Sequence, residues 1–344
     1  MEQTLRIGII PGDGIGRDVI KAARLVLDTI NENSPSLNMI YSEMEVGERA
    51  VATSGQAFPE ATREGISQCD VVLFGAIGAP HDFVVLSGIR SGFQLYANVR
   101  PIKARPNVNA LQQDADLVVI RENTEGLYKG VGFSDGDYHV NLRVFTRHGM
   151  ERIIRFSFEW AIKYGRHKVT FTHKESVLRH TDGVMKELFY EIANDYPTIE
   201  AEDMEIDACA MRVVMKPHTL DVILTENANG DILSDVGGGI IGGLGLTPSG
   251  NIGDKLAMFE PVHGSAPKYA DRDIVNPTAT LLATKMMFDY LDMGPIAGRI
   301  DKAIEDVLRE GRVRTYDLGG SSSTSEVAQE VAAKIDRDWH NAVS

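Results

Sequence analysis

The sequence predicts an α/β fold with partly parallel strands, and three observations carry that prediction. Short β-branched, apolar runs recur at 5–10, 71–74, 117–120, 168–172 and 221–225. Helical periodicity fills much of the space between them, at 16–31, 149–163, 182–195, 278–291 and 298–309. At 344 residues the chain is long enough for two domains or one large α/β unit. Strands that alternate with helices in this way build layers whose strands run partly parallel.

Composition narrows the function. A hydrophobic content of 43% with 24% charged residues is ordinary for a soluble globular enzyme. No apolar run approaches a membrane span, and the start Met1-Glu-Gln-Thr-Leu-Arg has no signal-peptide character. The two cysteines, Cys69 and Cys209, suggest no disulfide framework, so a cytoplasmic location is expected. The net charge of −14 argues against nucleic acid or an anionic membrane as partner. It leaves room for an anionic small substrate where arginines are locally concentrated.

The first strand runs into Pro11-Gly12-Asp13-Gly14-Ile15-Gly16, and a helix follows. The spacing is G-x-G-x-G, without the extra residue of a Rossmann fingerprint, and no acidic residue ends a clear second strand. A glycine-bent loop lining some other cofactor site is expected. Arg90, Arg100 and Arg121 fall close to element boundaries, the last two in the strand-like runs 95–101 and 117–123. Guanidinium grips carboxylate bidentately, so three such arginines suit a polycarboxylate; surface ion pairing is the alternative.

The stretch 128–147 is rich in Gly, Asp, aromatic and β-branched residues and reads as a hairpin arm with Asp135-Gly136 at its turn. Such an arm has little to bury against alone, so pairing with another subunit is expected. Tyr128 and Lys174 are candidate proton carriers if a metal lies near, although singly each is more often a core-edge tyrosine or a solvated lysine. Asp231 and Asp235, in Asn229-Gly-Asp-Ile-Leu-Ser-Asp235, sit at i, i+4 on one helix face. Two carboxylates that close repel unless a cation lies between them, and Mg2+ or Mn2+ takes such oxygens. Taken alone, the pair would more often be two exposed helix carboxylates. The glycine-rich stretch 236–245 predicts tight helix packing or a backbone crossing. His263-Gly264-Ser265-Ala266-Pro267 forms a turn whose histidine suits a nucleotide contact or a satisfied loop equally.

Taken in order, these motifs resemble the β-hydroxyacid oxidative decarboxylases, the family of isocitrate, 3-isopropylmalate, homoisocitrate and tartrate/D-malate dehydrogenases. The likeness spans essentially the whole chain and includes Asp207, Glu260-Pro-Val-His263 and Asn276-Pro277. It implies a two-domain isopropylmalate/isocitrate dehydrogenase-like α/β fold, not a Rossmann fold, with a β-arm for dimerisation. Residues 1–99 and 249–344 would form a large cofactor-side domain, and 100–248 a small central domain with the dimer interface. The implied metal ligands are Asp231, Asp235 and, from the neighbouring subunit, Asp207. Lys174, also from across the dimer, would relay the hydroxyl proton, and Tyr128 would protonate the enolate at C3. Arg90, Arg100 and Arg121 would hold the malate carboxylates while hydride leaves C2 for a nicotinamide. A homodimer with shared sites is therefore expected, inactive as a monomer, with association into tetramers left open.

The same resemblance bears on cofactor and substrate. NAD-using relatives carry an Asp after His-Gly-Ser-Ala-Pro, where this chain has Lys268-Tyr269. With Val275 before Asn276 and with Tyr316, the pattern is similar to NADP-using isocitrate dehydrogenases, and His263, Gly264, Ser265 and Ala266 complete the implied cofactor contacts. Gly320 replaces the arginine of that pattern. NADP is expected, with NAD as second choice. Val84 and Leu86 stand where isocitrate enzymes have serine and asparagine. Leu86 fits isopropylmalate enzymes, and Ser87 replaces both their second leucine and the extra arginine of a bacterial homoisocitrate enzyme. The expected substrate is a small hydroxy di- or tricarboxylate, a 3-substituted (2R)-malate of the homoisocitrate/3-isopropylmalate type. Isocitrate and tartrate/D-malate are the alternatives. Ser176 stands where relatives usually have Asn near the nicotinamide. A non-catalytic regulatory subunit is the rival from another class, but such subunits usually lose metal or proton-transfer residues, and all five are present here.

Overall fold

In the computed structural model, which describes residues 3–343, every run read as a strand forms and joins one ten-stranded sheet. β1 (Gln3–Gly12) leads into α1 (Gly16–Asn33), followed by β2 (Leu37–Glu43), α2 (Gly47–Ser54), α3 (Glu60–Ser67), β3 (Val71–Ala76), α4 (Asp82–Arg90) and β4 (Ala97–Lys103). Next come β5 (Asp116–Glu122), the hairpin β6 (Gly132–Asp135) and β7 (Tyr138–Asn141), α5 (Arg147–Lys163) and β8 (Lys168–His173). α6 (Val184–Ala193), β9 (Glu200–Glu205), α7 (Ile206–Met215), β10 (Val222–Thr225) and α8 (Asn227–Ile240) continue the central part. β11 (Pro248–Ile252), β12 (Ala257–Pro261), α9 (Thr278–Tyr290), α10 (Gly294–Glu310) and α11 (Thr324–Val343) complete the order.

The strands lie in the order β2-β1-β3-β12-β11-β4-β5-β10-β8-β9. The pairs on either flank are parallel, and β12–β11, β11–β4 and β4–β5 in the middle are antiparallel. β3 and β10 are buried at every position, which is what a parallel strand covered by helices on both faces requires. α1 turns Val19, Ala23, Val26, Leu27 and Ile30 inward at helical spacing. The chain leaves the first half of the sheet through β4 and returns through the neighbouring β11, with Asn98 directly opposite Asn251.

The arm forms, but its turn lies one residue later than predicted. Asp135 pairs with Tyr138 in the ladder, which leaves Gly136 and Asp137 as the loop, and Gly136 supplies the positive φ of 55°. The arm exposes Phe133 and Tyr138, and α7 and α8 expose Met211, Met215 and Ile232. Of the two readings of the glycine-rich stretch, close packing holds at Gly237, Gly238 and Gly242, while Gly239 and Gly243 face open space. A Cβ on Gly237 would lie 2.1 Å from Ile102 Cδ1, so α8 rests on β4 with no room for a methyl group. Among the described residues no helix is long and apolar enough to cross a membrane.

On the edge strand β9, Asp203 accepts hydrogen bonds from His173 Nε2 at 2.8 Å and Tyr190 Oη at 2.5 Å, and pairs with Lys186 Nζ at 2.9 Å. Burial pushes this carboxyl up, but the three donors outweigh it and bring its pKa down to about 2. A carboxyl depressed on folding stabilises above its unfolded pKa and loses that stability as pH falls through the folded one. The contribution is therefore present above about pH 4 and lost between about pH 4 and 2. Asp203→Asn should cost about 1–2 kcal/mol at pH 7 and little at pH 2, allowing for solvent screening. Denaturation curves with the same mutant deficit at both pH values would contradict this.

Candidate active site

Six elements deliver side chains to one cleft of about 280 Å3: β3, α4, β4, β5, the first two turns of α8, and β12. Glu226 caps α8, accepting from the backbone N–H groups of Asn229 at 2.6 Å and Ala228 at 3.0 Å. That cap fixes the start of the helix, and Asp231 and Asp235 follow on one face.

Arg121, only 1% exposed, is held by Asn227, whose Oδ1 accepts from Nε at 3.0 Å and Nη2 at 2.6 Å. Its Nη1 donates to Asp231 Oδ1. Arg100 Nη1 donates to Ser234 Oγ at 2.7 Å and reaches Asp231 Oδ1 at 3.3 Å and Asp235 Oδ1 at 3.6 Å. Tyr128 Oη donates to Asp231 Oδ2 at 3.0 Å. Three of the predicted residues, Arg100, Arg121 and Tyr128, thus meet at the carboxylate of a fourth, Asp231. Leu86, Ser87 and Arg90 line the same cleft from α4, at the i, i+1, i+4 spacing of one helix face, with Val84 not among the lining residues.

Burial pushes the Asp231 carboxyl up, but Arg121 and Arg100 outweigh it and hold it below the ordinary carboxylate range. Burial raises Asp235, and the nearby Asp231 adds to that against the pull of Arg100. Burial, with Arg121 alongside, lowers Arg100 to about 10. Burial also raises Tyr128 against the pull of Arg121, so the phenol keeps its proton at neutral pH. The cleft therefore combines guanidinium donors for carboxylates with a proton-bearing phenol beside them.

A buried polar seam behind the cleft was not anticipated from the sequence. Arg90 Nη2 donates to Glu260 Oε1 at 2.8 Å, and Asn251 Nδ2 donates to the same oxygen at 2.7 Å. Asn251 Oδ1 accepts from Asn98 Nδ2 at 2.9 Å, and Asn98 Oδ1 accepts from Arg100 Nε at 2.7 Å. Two arginines of the clamp are thus joined through the strands β11 and β4. The available signal was polarity inside otherwise strand-like runs, at Asn98 in 95–101 and Glu260 before Pro261.

Lys174 and Asp207 do not line the cleft of their own chain. Lys174 Nζ lies 2.8 Å from Asp207 Oδ1 and 3.0 Å from Glu205 Oε2. Asp207 holds the lysine above its ordinary range, and Lys174 holds Asp207 below its own. Ser176 donates from Oγ to Glu205 Oε2 at 3.1 Å, in the same cluster. A divalent cation fits Asp231 and Asp235, two adjacent carboxylates of which the first is kept ionised. Among the described residues no three His, Cys, Asp or Glu side chains of one chain converge on a metal position, so a three-carboxylate site needs a ligand from outside the chain.

The predicted cofactor residues gather beside the glycine loop. Gly14 has φ +56° and a Cβ there would lie 2.0 Å from the Ser265 carbonyl, whose oxygen accepts from Ile15 N at 2.8 Å. His263 and Gly264 line the cleft itself. His263 Nδ1 lies 3.1 Å from the Gly264 carbonyl, which leaves Nε2 buried and without a partner, and burial lowers the ring's pKa. A neutral ring with a free acceptor suits a nucleotide donor group. Ala266 adopts φ +36°, and the Lys268 ammonium sits 4.7 Å from the Tyr269 ring centre. Tyr269 and Tyr316 meet at 5.9 Å, Val275 packs with Ile15 and Val19, and Asn276 Nδ2 donates to Asp317 Oδ2 at 2.9 Å.

An α/β fold of this topology sets a guanidinium clamp beside paired carboxylates and a phenol, a site for a small polycarboxylate that exchanges a proton. The chain belongs to the isocitrate/isopropylmalate dehydrogenase family, whose model matches residues 6–331. It is 45% identical over 335 residues to the 3-isopropylmalate/3-methylmalate dehydrogenase of Methanocaldococcus jannaschii, covering 96% of this chain and 98% of that one. It is 43% identical over 335 residues to the isocitrate/homoisocitrate dehydrogenase of Thermus thermophilus, with the same coverage. The crystal structure of isocitrate dehydrogenase from Methylococcus capsulatus superposes with a TM-score of 0.91 at 38% identity, covering 98% of this chain and 100% of that one. The family oxidatively decarboxylates small hydroxy acids, which implies a nicotinamide cofactor and a divalent metal, and its members are generally dimeric.

Proposed function

We propose that this chain oxidatively decarboxylates a (2R)-malate bearing a short alkyl group at C3, at sites shared between two subunits. The observation that carries the substrate assignment is the apolar wall among the residues that line the cleft. Ile77, Phe83, Leu86 and Val262 present carbon there, and Asp82 and Ser87 of α4 add polar groups but no positive charge. A substituent ending in a carboxylate, as in isocitrate or homoisocitrate, would lose water without gaining a cation on that wall. The name of the M. jannaschii relative, with its 3-isopropyl and 3-methyl substrates, agrees with this reading.

Arg90, Arg100 and Arg121 orient the two malate carboxylates and fix C2 and C3. Asp231, Asp235 and Asp207 of the partner subunit would hold the divalent cation. When bound, the cation and the nicotinamide supply Lewis acidity at the C2 oxygen and a hydride acceptor. Lys174 of the partner subunit takes the hydroxyl proton, and Tyr128 returns a proton to C3 after CO2 has left. The exposed arm and the apolar faces of α7 and α8 support burial between two subunits. Residues 1–99 with 249–344, and 100–248, would be the two domains that close on the substrate.

We further assign NADP as the preferred cofactor, held at its 2′-phosphate by Lys268, Tyr269 and Tyr316, with NAD as the weaker one. One initial-rate panel with Mg2+ or Mn2+ tests both assignments. It crosses 3-isopropylmalate, 3-methylmalate, isocitrate, homoisocitrate, D-malate and tartrate with NADP and NAD. A 3-alkylmalate with NADP should give the highest kcat/KM, by about tenfold or more over isocitrate. Preference for isocitrate or homoisocitrate refutes the alkyl pocket, and a higher kcat/KM with NAD refutes the phosphate assignment.

A further inference from the structure

One half-buried cation outside the cleft reaches toward both halves of the proposed shared machinery. Arg143 follows β7 at the root of the arm. Its Nη1 donates to Asp182 Oδ1 at 2.7 Å, and its Nη2 lies 3.1 Å from Glu226 Oε1. Both acids are 3% exposed, and Arg143 is the cation paired with each. Asp182 uses its other oxygen, Oδ2, to accept the backbone N–H of Lys174 at 2.7 Å. Glu226 is the residue that caps α8, five residues before Asp231.

We propose that Arg143 is a positioning residue that links two active sites through one subunit, a proposal that rests on the shared-site reading above. In that reading Lys174 serves the partner's cleft, whereas α8 serves the cleft of its own chain. A single guanidinium therefore neutralises the acid that holds the Lys174 backbone and the acid that starts the aspartate helix. Without it, two desolvated carboxylates face each other with no cation, and each relaxes by giving up its backbone donors or taking in water. Arginine hydrogen-bonds Asp182 through Nη1 and sets the charge of Nη2 against Glu226, a two-sided reach that the single ammonium of lysine does not have.

The test mixes Lys174→Met subunits with Asp231→Asn subunits. Each homodimer has both sites broken, and the mixed dimer regains one site, built from Asp231 of the first subunit and Lys174 of the second. Arg143→Met is then added to either subunit. The recovered kcat should fall about tenfold or more in both placements, through α8 in one and through Asp182 in the other. Backbone hydrogen exchange on the otherwise native homodimer, without substrate, metal or cofactor, gives a second readout. Arg143→Met should speed exchange at 174–183 and at 226–231 while 150–161 in α5 stays protected, with Arg143→Lys intermediate. A loss in only one placement, or faster exchange at only one segment, overturns the link. Faster exchange throughout α5 also overturns it, because that marks general destabilisation. No recovery in the mixed dimer before any change at Arg143 overturns the shared site instead, and the exchange data then decide whether the link exists.

Discussion

Asp231→Asn is expected to lower turnover on the order of a hundredfold or more at ordinary Mg2+ or Mn2+ concentrations. Asn keeps the shape and one acceptor of the side chain but removes the charge. That charge is what Arg121, Arg100 and Tyr128 all address: Oδ1 takes both guanidiniums and Oδ2 takes the phenol. The substitution weakens the proposed metal site and loosens the phenol that is to deliver the C3 proton. It also leaves two buried guanidiniums, already repelling each other, with less compensation. Initial rates across a metal series, with a melting curve to show that the mutant is folded, read the effect. Part of the loss should return at high metal. Near-normal turnover at ordinary metal would refute the role of Asp231.

Glu260→Leu is expected to cost about 3–5 kcal/mol of stability, because it removes one partner of a buried ion pair. Arg90 and Glu260 leave only 12% and 8% of their side chains exposed, and the same Glu260 oxygen also accepts from Asn251. Leucine would strand the Arg90 guanidinium at the cleft wall and the fully buried Asn251 amide behind it. Glu260→Gln keeps an acceptor and should cost distinctly less. Urea midpoints with unchanged slopes measure both. A loss below about 1 kcal/mol for the leucine variant would show that the seam bears little weight. The two substitutions probe different things, since Glu260 pairs with Arg90 and Asn251, and Asp231 with Arg100, Arg121 and Tyr128.

The parallel flanks were legible at β3 and β10, which are buried at every position and therefore read as unbroken apolar runs. β2 and β9, at the sheet's edges, mix polar and apolar residues, and nothing in Glu200–Glu205 announces a strand until its neighbour is known. β11 was illegible for a different reason. Ser249 and Asn251 are fully buried, yet they are polar, because each is answered by Asn98 some 150 residues away. α11 carried a readable stripe, Val327, Val331 and Ile335, that the prediction did not include. At the cleft, the arginines, Tyr128 and the aspartate pair were legible from residue type and order. The partners of Glu260 and Arg143 were not, because both spend their chemistry on side chains distant in sequence.

The adjacency of β4 and β11 has a practical consequence for exchange between relatives. Everything between them enters and leaves through two strands that share one ladder, with Val99 opposite Gly250 and Asn98 opposite Asn251. A graft of the central segment from another member of the family therefore has two joints, and they touch. Matching that one strand pair, with its two asparagines as the key, should align both splices at once. Chimeras cut there would let the determinants on α4 and those carried by the central segment be assayed separately in a single set of hybrid proteins.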